Sequence, residues 1–537
     1  MSRQFGEHKM YFPQYRKGKP GVSLFEGTIL DHARKLGIGI QAECGGKGTC
    51  GTCVVRVARG QEALSAPTAV EAAFGLHGAE RLACQAKVEQ PADLYVYVRS
   101  AGEYAILSDT VQHEIELNPA VRRQGNQVIW AGPDGERTLG QYEGAVYGLA
   151  VDVGTTTLVC QALDLESGEP VATMAQKNPQ AAYGDDVISR IDHTMRHEQG
   201  LQELQATVIS AVNDITRMLR EQYQIAPSQI CEVVAVGNPT MRNLFFGLDV
   251  QPLGVIPFEP PDKAPVNARA STLGLDVNPE AHVYGPALIG GHAGADCLAD
   301  IIAARMHEAQ RPSMIIDVGT NGEVAVGNRE RIMTASCAAG GAYEGATVGS
   351  GVGAIAGAIS NVWINDGQVR YETIGNEAPS GICGSGLIDL LAELLNNGIM
   401  TRQAKLSGDF VLTPSLRLTQ QDVYQLITAK AGLRTDQDLL LKYYGVSLDD
   451  IEAIYLAGAF GNYISVDNAV AIGLLPNVAD KVVKIGNAAL AGAREMLLSQ
   501  RIRLDSEHIA ATIEHIKPNE READFQYLVA DNMYFNE

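Results

Sequence analysis

Nowhere in the 537 residues does an uncharged apolar run reach the roughly 18–20 residues needed to cross a bilayer, so no membrane-spanning helix is expected. The opening residues, MSRQFGEHKMYF, lack an apolar stretch followed by a small-residue cleavage site. No secretory leader is read, and the cytosol is the expected compartment. Basic charge is also in deficit: 42 Lys and Arg against 63 Asp and Glu leave a formal charge of −21. That balance repels phosphate backbones and anionic headgroups, which disfavours nucleic acid and membrane surfaces and leaves proteins and small molecules as partners. Cysteines number only nine, an odd count, and four stand at cofactor spacing, which argues against a secreted disulfide framework. The C-x2-C-x2-C-x3-C-P run of [4Fe–4S] ferredoxins is absent. So is the G-x-x-x-x-G-K-[ST] phosphate loop, although GGKGT superficially mimics it. No low-complexity tract interrupts the chain.

What is present begins with ECGGKGTCGTC, in which Cys44, Cys50 and Cys53 are separated by five and then two residues. Cys84 follows in RLACQAKV. Four thiolates are what a [2Fe–2S] cluster needs, two for each iron. The glycines Gly45, Gly46, Gly48 and Gly51 let the backbone pass close to inorganic sulfur, donate N–H groups to it and adopt positive φ. The first gap is one residue longer than in the plant-type spacing and resembles the adrenodoxin type. A zinc knuckle would pair one C-x2-C with another, and only one such pair occurs. Around these cysteines, KMYFPQY reads as a strand, LFEGTILDHARKLGI has helical spacing and TCVVRVARG reads as a strand. That order suits a β-grasp ferredoxin over residues 1–99. Residues 100–145 are polar and punctuated by turns, and are expected to form a linker with room for a hairpin.

A chain of this length should divide into a small module and a larger two-lobed region. Near Tyr147 the texture changes to GLAVDVGTTTLVCQALDL, followed by a helical stretch from about Asp185 to Tyr223, and the same texture recurs in SMIIDVGTNGEVAVGN. Each places an aspartate, Asp152 or Asp317, at a strand end before a Gly/Thr turn. Such a turn offers N–H and hydroxyl groups to phosphate, while the acid can hold Mg²⁺ or orient water. One D-x-G-T turn alone is weak evidence, since such turns also occur as plain hairpins, but two in related halves point to a duplicated domain with a cleft. Later, AIYLAGAFGNYI carries Gly458 and Gly461 after an apolar strand, and KIGNAALAGA repeats the pattern at Gly486. These glycines suit either an adenosine laid against bare backbone or close helix–strand packing.

The order of acidic turn, second acidic turn and late Gly segment resembles the acetate and sugar kinase, heat-shock 70 and actin superfamily. A β-grasp [2Fe–2S] domain fused to such a domain resembles, more narrowly, the ATP-dependent reductive activators of corrinoid proteins. The resemblance spans nearly the whole chain, including GICGSGLIDLLAEL and LITAKAGLR. It implies an α/β multidomain fold: a ferredoxin domain over 1–99, a linker over 100–145, and a duplicated two-lobed actin-like ATPase domain over 146–537, with lobes 146–310 and 311–537. Asp152, Gly154, Thr155 and Thr156 would form the first phosphate motif and Asp317, Gly319, Thr320 and Asn321 the second. Gly458 and Gly461 would border the adenosine. The implied activity is ATP-dependent transfer of an electron from the cluster to the Co(II) corrinoid of a methyltransferase system, restoring Co(I). The cofactors are then the [2Fe–2S] cluster, ATP and Mg²⁺. The partners are a corrinoid protein and an upstream low-potential electron donor, with a second copy of the chain as a further candidate. Alternatives are ATP-driven donation to another low-potential enzyme, a [2Fe–2S] carrier with an ATP-sensing domain, and a small-molecule kinase. Two features depart from some relatives: only residues 100–145 separate the ferredoxin and ATP regions, and the C-terminal tail has no cysteine.

Overall fold

The computed structural model describes residues 4–12, 21–36, 38, 40, 42, 46–48, 53–74, 76, 79–98, 111, 113–132, 135–337, 341–345, 347–365, 367–458 and 463–535. The chain divides into two compact units, residues 1–103 with 177–211 and residues 104–176 with 212–537.

In the first unit, β1 (Gln4–Tyr11), β2 (Val22–Phe25), β3 (Val54–Arg59), β4 (Glu80–Leu82) and β5 (Leu94–Val98) form one sheet in the order β2-β1-β5-β3-β4. The first and last strands lie parallel at its centre, and β2 and β3 flank them antiparallel. A helix, Ile29–Lys35, buries Ile29, Leu30 and Ala33. This is the expected β-grasp. The helix is shorter than the periodic stretch because Leu24 and Phe25 complete β2. It starts at Thr28, whose hydroxyl accepts from Asp31 N (3.1 Å) while Asp31 accepts from Thr28 N (2.8 Å).

Residues 177–211 join this unit through Ala182, which is buried in its core, and through the Arg34 guanidinium, whose Nε donates to Ala182 O at 2.8 Å. The stretch 185–223, expected as one helix, is two: Val187–Arg196 and Gly200–Tyr223. His197 is extended (φ −125°, ψ 122°) at the break, and a Cβ on Gly200 would stand 2.7 Å from His193 O, so only glycine lets the second helix start there.

In the second unit, β6 (Val121–Gln124), β7 (Gln127–Gly132) and β8 (Gly135–Gln141) make an antiparallel three-stranded sheet where turns and at most a hairpin were expected. Val121, Val128, Trp130 and Leu139 are buried there; residues 128–130 are the one short apolar run, while Val121 and Leu139 stand singly among polar residues, so three strands do not show as a pattern. Next come β9 (Tyr147–Val153), β10 (Thr157–Asp164), β11 (Pro170–Lys177), β12 (Ile230–Val236), β13 (Val266–Arg269) and β14 (His282–Gly285), in the order β11-β10-β9-β12-β14-β13. A second series starts with β15 (Ser313–Val318), β16 (Gly322–Gly327) and β17 (Ile332–Cys337). An insertion carries β18 (Ala358–Asn365), β19 (Gln368–Thr373), β20 (Gly381–Ile382) and the hairpin β21 (Phe410–Thr413) and β22 (Leu416–Leu418). Then β23 (Ile454–Ala457), β24 (Val482–Gly486) and β25 (Glu514–His515) complete the sheet β24-β23-β15-β16-β17-β25.

Setting aside the added edge strands β13 and β25, each sheet runs third, second, first, fourth, fifth strand of its series. In both, the first two strands are an antiparallel hairpin and the fourth and fifth follow parallel to the first. The duplication read from DVGTTT and DVGTNG is therefore a duplication of topology, and it places both acidic turns at the same sheet position. The helix Ala488–Leu498 follows β24 of the second sheet but buries Leu490, Ala493 and Leu497 with Ala150 and Val234 of the first. Its Gly492 lies so close to the helix Ala295–Ala303 that a Cβ would stand 2.2 Å from Ala299 O.

Candidate functional site

The first unit brings Cys53 and Cys84 together. Cys53 precedes β3, Cys84 follows β4, and the pairing of those strands sets their sulfurs 3.3 Å apart, both buried. That distance is too long for the disulfide value of about 2.05 Å. Gly46 and Gly48 have φ of +95° and +79°, and a Cβ on Gly48 would stand 2.6 Å from Gln85 Nε2. The loop backbone thus lies directly on the Cys84–Gln85 segment. Two converging thiols under side-chain-free backbone fit a metal–sulfur group. Cys44 and Cys50 lie outside the described residues.

The second unit brings the two acidic turns together. Gly154 closes the β9–β10 hairpin, where a Cβ would meet Thr157 O at 2.3 Å. Gly319 closes the β15–β16 hairpin, with its N–H donating to Asn321 O at 3.1 Å. Across the cleft the hydroxyls of Thr156 and Thr320 are 2.9 Å apart. Thr155 is buried and accepts from Asn238 Nδ2 at 3.0 Å. Gly458, with φ +111°, stands on the second turn: its Cβ would lie 2.6 Å from Val318 O and 2.8 Å from Asp317 Oδ1. Gly461 lies outside the described residues.

Several residues that shape this cleft were not singled out from the sequence. Asn487 donates to Asp152 Oδ2 at 2.7 Å while its own Oδ1 caps the helix Ala488–Leu498 by accepting from Leu490 N at 2.8 Å. Asn238 does the same two jobs, touching Thr155 and capping Pro239–Phe246 through Met241 N at 3.0 Å. Both sit in a Gly-Asn pair between an apolar strand and a helix, a legible capping signal. Glu344 accepts from Thr156 Oγ1 at 2.7 Å and from Thr320 Oγ1 as well.

Asp296 and Asp300, one turn apart on Ala295–Ala303, and Glu323 on β16 add to the acids around Asp317. Burial pushes Asp152 up to about 7 against the Asn487 hydrogen bond, with the charges of Asp317 and Glu344 adding to it. Asp296 rises to about 7 and Asp317 to about 6 for the same first reason. Asp300 and Glu323 are held well above the carboxylate range by burial and then by their acidic neighbours. A protonated Asp300 donates a hydrogen bond to Asp317. Carboxyls so crowded share protons until a cation replaces them. Among the described residues, no group of three or more His, Cys, Asp or Glu is arranged to hold a metal ion.

Among the described residues, no helix is long and apolar enough to cross a membrane. Comparison with known proteins matches residues 22–89 to the 2Fe-2S iron-sulfur cluster binding domain, 147–309 to the RACo middle region and 311–537 to the C-terminal domain of RACo, the ASKHA domain. The middle-region match falls on the first of the two duplicated sheets, where the first ATPase lobe was expected. Corrinoid activation enzyme RamQ of Eubacterium limosum is 30% identical over 88% of this chain and 91% of its own length. The [Co(II) methylated amine-specific corrinoid protein] reductase of Methanosarcina barkeri is 30% identical over 67% of this chain and 71% of its own. A solved structure, the reductive activator for corrinoid, iron-sulfur protein, is 28% identical with a TM-score of 0.74, covering 98% of both chains.

Proposed function

The chain belongs to the family of reductive activators of corrinoid proteins, and from that premise we propose that it restores Co(I) in the Co(II) corrinoid of a methyltransferase-system protein, with ATP driving the electron transfer. The observation that carries this is the union, in one chain, of buried converging thiols under glycine backbone with a duplicated acid–threonine cleft. A ferredoxin passing electrons downhill has no use for such a cleft. For one electron, each 100 mV of unfavourable potential costs about 2.3 kcal/mol, so an uphill step of a few hundred millivolts calls for a coupled source of free energy.

Cys44, Cys50, Cys53 and Cys84 hold the [2Fe–2S] cluster, which when bound takes up and releases single electrons. Burial of Cys53 and Cys84 keeps water from their sulfurs. Thr155, Thr156, Thr320 and Asn321 meet the phosphates, and the turns at Gly154 and Gly319 present backbone N–H groups. Asp152, oriented by Asn487, and Asp317, oriented by Asp300, manage Mg²⁺ and the attacking water. Gly458 and Gly461 border the adenosine. The protein acts in the cytoplasm, and an upstream low-potential donor supplies the electron.

The test is anaerobic. Reduced protein is mixed with a Co(II) corrinoid protein from the same organism, and visible spectra are recorded with and without Mg-ATP. A Co(I) band growing only with ATP is expected. A confirmed reduced cluster with no Co(I) band, and no stimulation of ATP hydrolysis by the partner, would remove that partner from the proposal.

A further inference from the structure

Cys84, the last of the four expected ligands, sits in a turn after β4 that is pinned from several sides. Gln85 N and Ala86 N both donate to Leu82 O at 2.9 Å. The start of the helix Ile29–Lys35 is tied to the same turn, with Ile29 N donating to Ala86 O at 3.0 Å and Leu30 N to Ala83 O at 2.9 Å. On the strand side the buried carboxylate of Glu71 accepts from Leu82 N at 3.0 Å and from Arg81 Nε at 2.8 Å. The backbone that carries Cys84 and Gln85 is thus fixed before any cluster is bound.

From this backbone the Gln85 side chain turns back on its neighbour. Its Nε2 lies 3.5 Å from Cys84 Sγ and 3.4 Å from Cys84 O. A thiolate and a carbonyl oxygen only accept, so both contacts call for the N–H side of the amide, and an NH₂ group has two hydrogens to give. The loop between the expected ligands Cys44 and Cys50 closes over it. Gly48, with φ +79°, passes so near that a Cβ would stand 2.6 Å from Gln85 Nε2 and 3.0 Å from Gln85 Cδ. Any side chain at Gly48 would claim the place of the amide.

A hydrogen bond to a ligand sulfur is not neutral toward redox. One electron taken up adds one negative charge to the cluster and its thiolates, and an N–H aimed at sulfur stabilises the more negative state more. Such a donor raises the reduction potential. The cluster is then easier to fill from an upstream donor, and the gap that remains to cobalt falls to ATP.

We propose that Gln85 is a positioning residue for the electron transfer: its side-chain amide donates to the Cys84 sulfur and holds the reduction potential of the [2Fe–2S] cluster above the value it would have without that donor. The inference rests on the cluster assignment proposed above and deepens it.

The test is an anaerobic redox titration of the full-length, cluster-loaded protein, followed by visible absorption, for the parent, Gln85→Leu, Gln85→Glu and Gln85→Lys. Leucine removes the donor at similar bulk, glutamate keeps the shape but adds an accepting charge, and lysine keeps N–H donors and adds a positive charge. In Gln85→Leu the ratio of reduced to oxidised cluster at a fixed potential should fall by about tenfold, a shift of about 59 mV for one electron. Gln85→Glu should fall at least as far, and Gln85→Lys should stay at or above the parent. If Gln85→Leu does not retain its iron, Gln85→Glu and Gln85→Lys carry the same comparison. A potential unchanged or raised on loss of the amide, or shifted the same way by glutamate and lysine, would overturn the inference while leaving the cluster in place. A parent that does not bind two irons per chain would instead overturn the cluster assignment itself.

Discussion

Gly154 and Gly319 hold matching places in the two hairpins, yet a methyl group would meet different surroundings at each. At Gly154 it would stand 2.3 Å from Thr157 O, a backbone atom that cannot give way, whereas at Gly319 its nearest neighbour is Asn321 O at 3.4 Å. Gly154→Ala should therefore cost about 1–3 kcal/mol and weaken ATP binding, while Gly319→Ala should stay within about 0.5 kcal/mol of the parent. Urea unfolding of both variants checks the contrast, and equal losses would contradict it. The acids of the same cleft set a pH dependence. Asp152, Asp296 and Asp317 have folded-state values of about 7, 7 and 6, raised above their ordinary range. A raised value means stability that is complete near pH 4 and is lost as pH climbs through 6 to 7. His32 works in the opposite sense: its Nε2 accepts from Phe25 N at 3.1 Å, Nδ1 lies 2.7 Å from Thr28 O, and burial lowers its pKa. Its contribution is complete above about pH 6.5, so it does not oppose the trend on the alkaline side. The melting temperature of nucleotide-free protein should fall by about a few degrees between pH 6.5 and 8, and saturating Mg-ATP should flatten that fall in a calorimetric series.

At the scale of elements, the packing of Ala295–Ala303 against Ala488–Leu498 decides whether the two halves share one core. Gly492 is the point of closest approach, and Gly492→Ala would drive a methyl into Ala299 O. A loss of about 1–3 kcal/mol, read as a lower denaturation midpoint with little change in m, is the expected result. That contact shows what kind of structure the chain discloses in one dimension. The acidic hairpins were legible because a β-branched run, an acid and a Gly/Thr turn occur twice, and their place between first and second strands follows from the hairpin itself. The β-grasp was legible because its strands and helix are short, alternating and punctuated. Residues 121–141 were not, since apart from the short apolar run at 128–130 their buried Val121 and Leu139 stand singly among charged and polar residues whose outward face exists only in the sheet. The acids on Ala295–Ala303 were equally hidden. Asp296 and Asp300 look like solvated helix charges until β15 and β16 are placed beside them. Glu344 stood in plain view in GAYEGA, but its partners Thr156 and Thr320 come from turns far away in sequence.

At the scale of the whole chain, the cluster-binding unit is not a contiguous stretch. It takes in residues 177–211, which follow β11 and lead into the helix Gly200–Tyr223. Ala182 is 1% exposed within the same core as Ile29, Leu30 and Cys53, and Arg34 is tied to its carbonyl. Lys47, in the loop between the expected ligands Cys44 and Cys50, pairs with Asp192 at 2.9 Å, and the Ala42 backbone hydrogen-bonds Asp185. The exposed Lys47 pair contributes little by itself. The buried Ala182 surface and the Arg34 hydrogen bonds contribute more, because their loss uncovers apolar area beside the cluster loop. A fragment of residues 1–103 should therefore still take up a [2Fe–2S] cluster but hold it less well than the full chain. The measurement is the decay of visible cluster absorption under a chelator, anaerobically, for the fragment and the intact protein. Decay about tenfold faster in the fragment corresponds to ~1.4 kcal/mol of lost protection. Arg34→Ala in the full chain should fall between the two. Identical decay in all three would mean that residues 177–211 only lie on the cluster-binding unit and do not hold its loop in place.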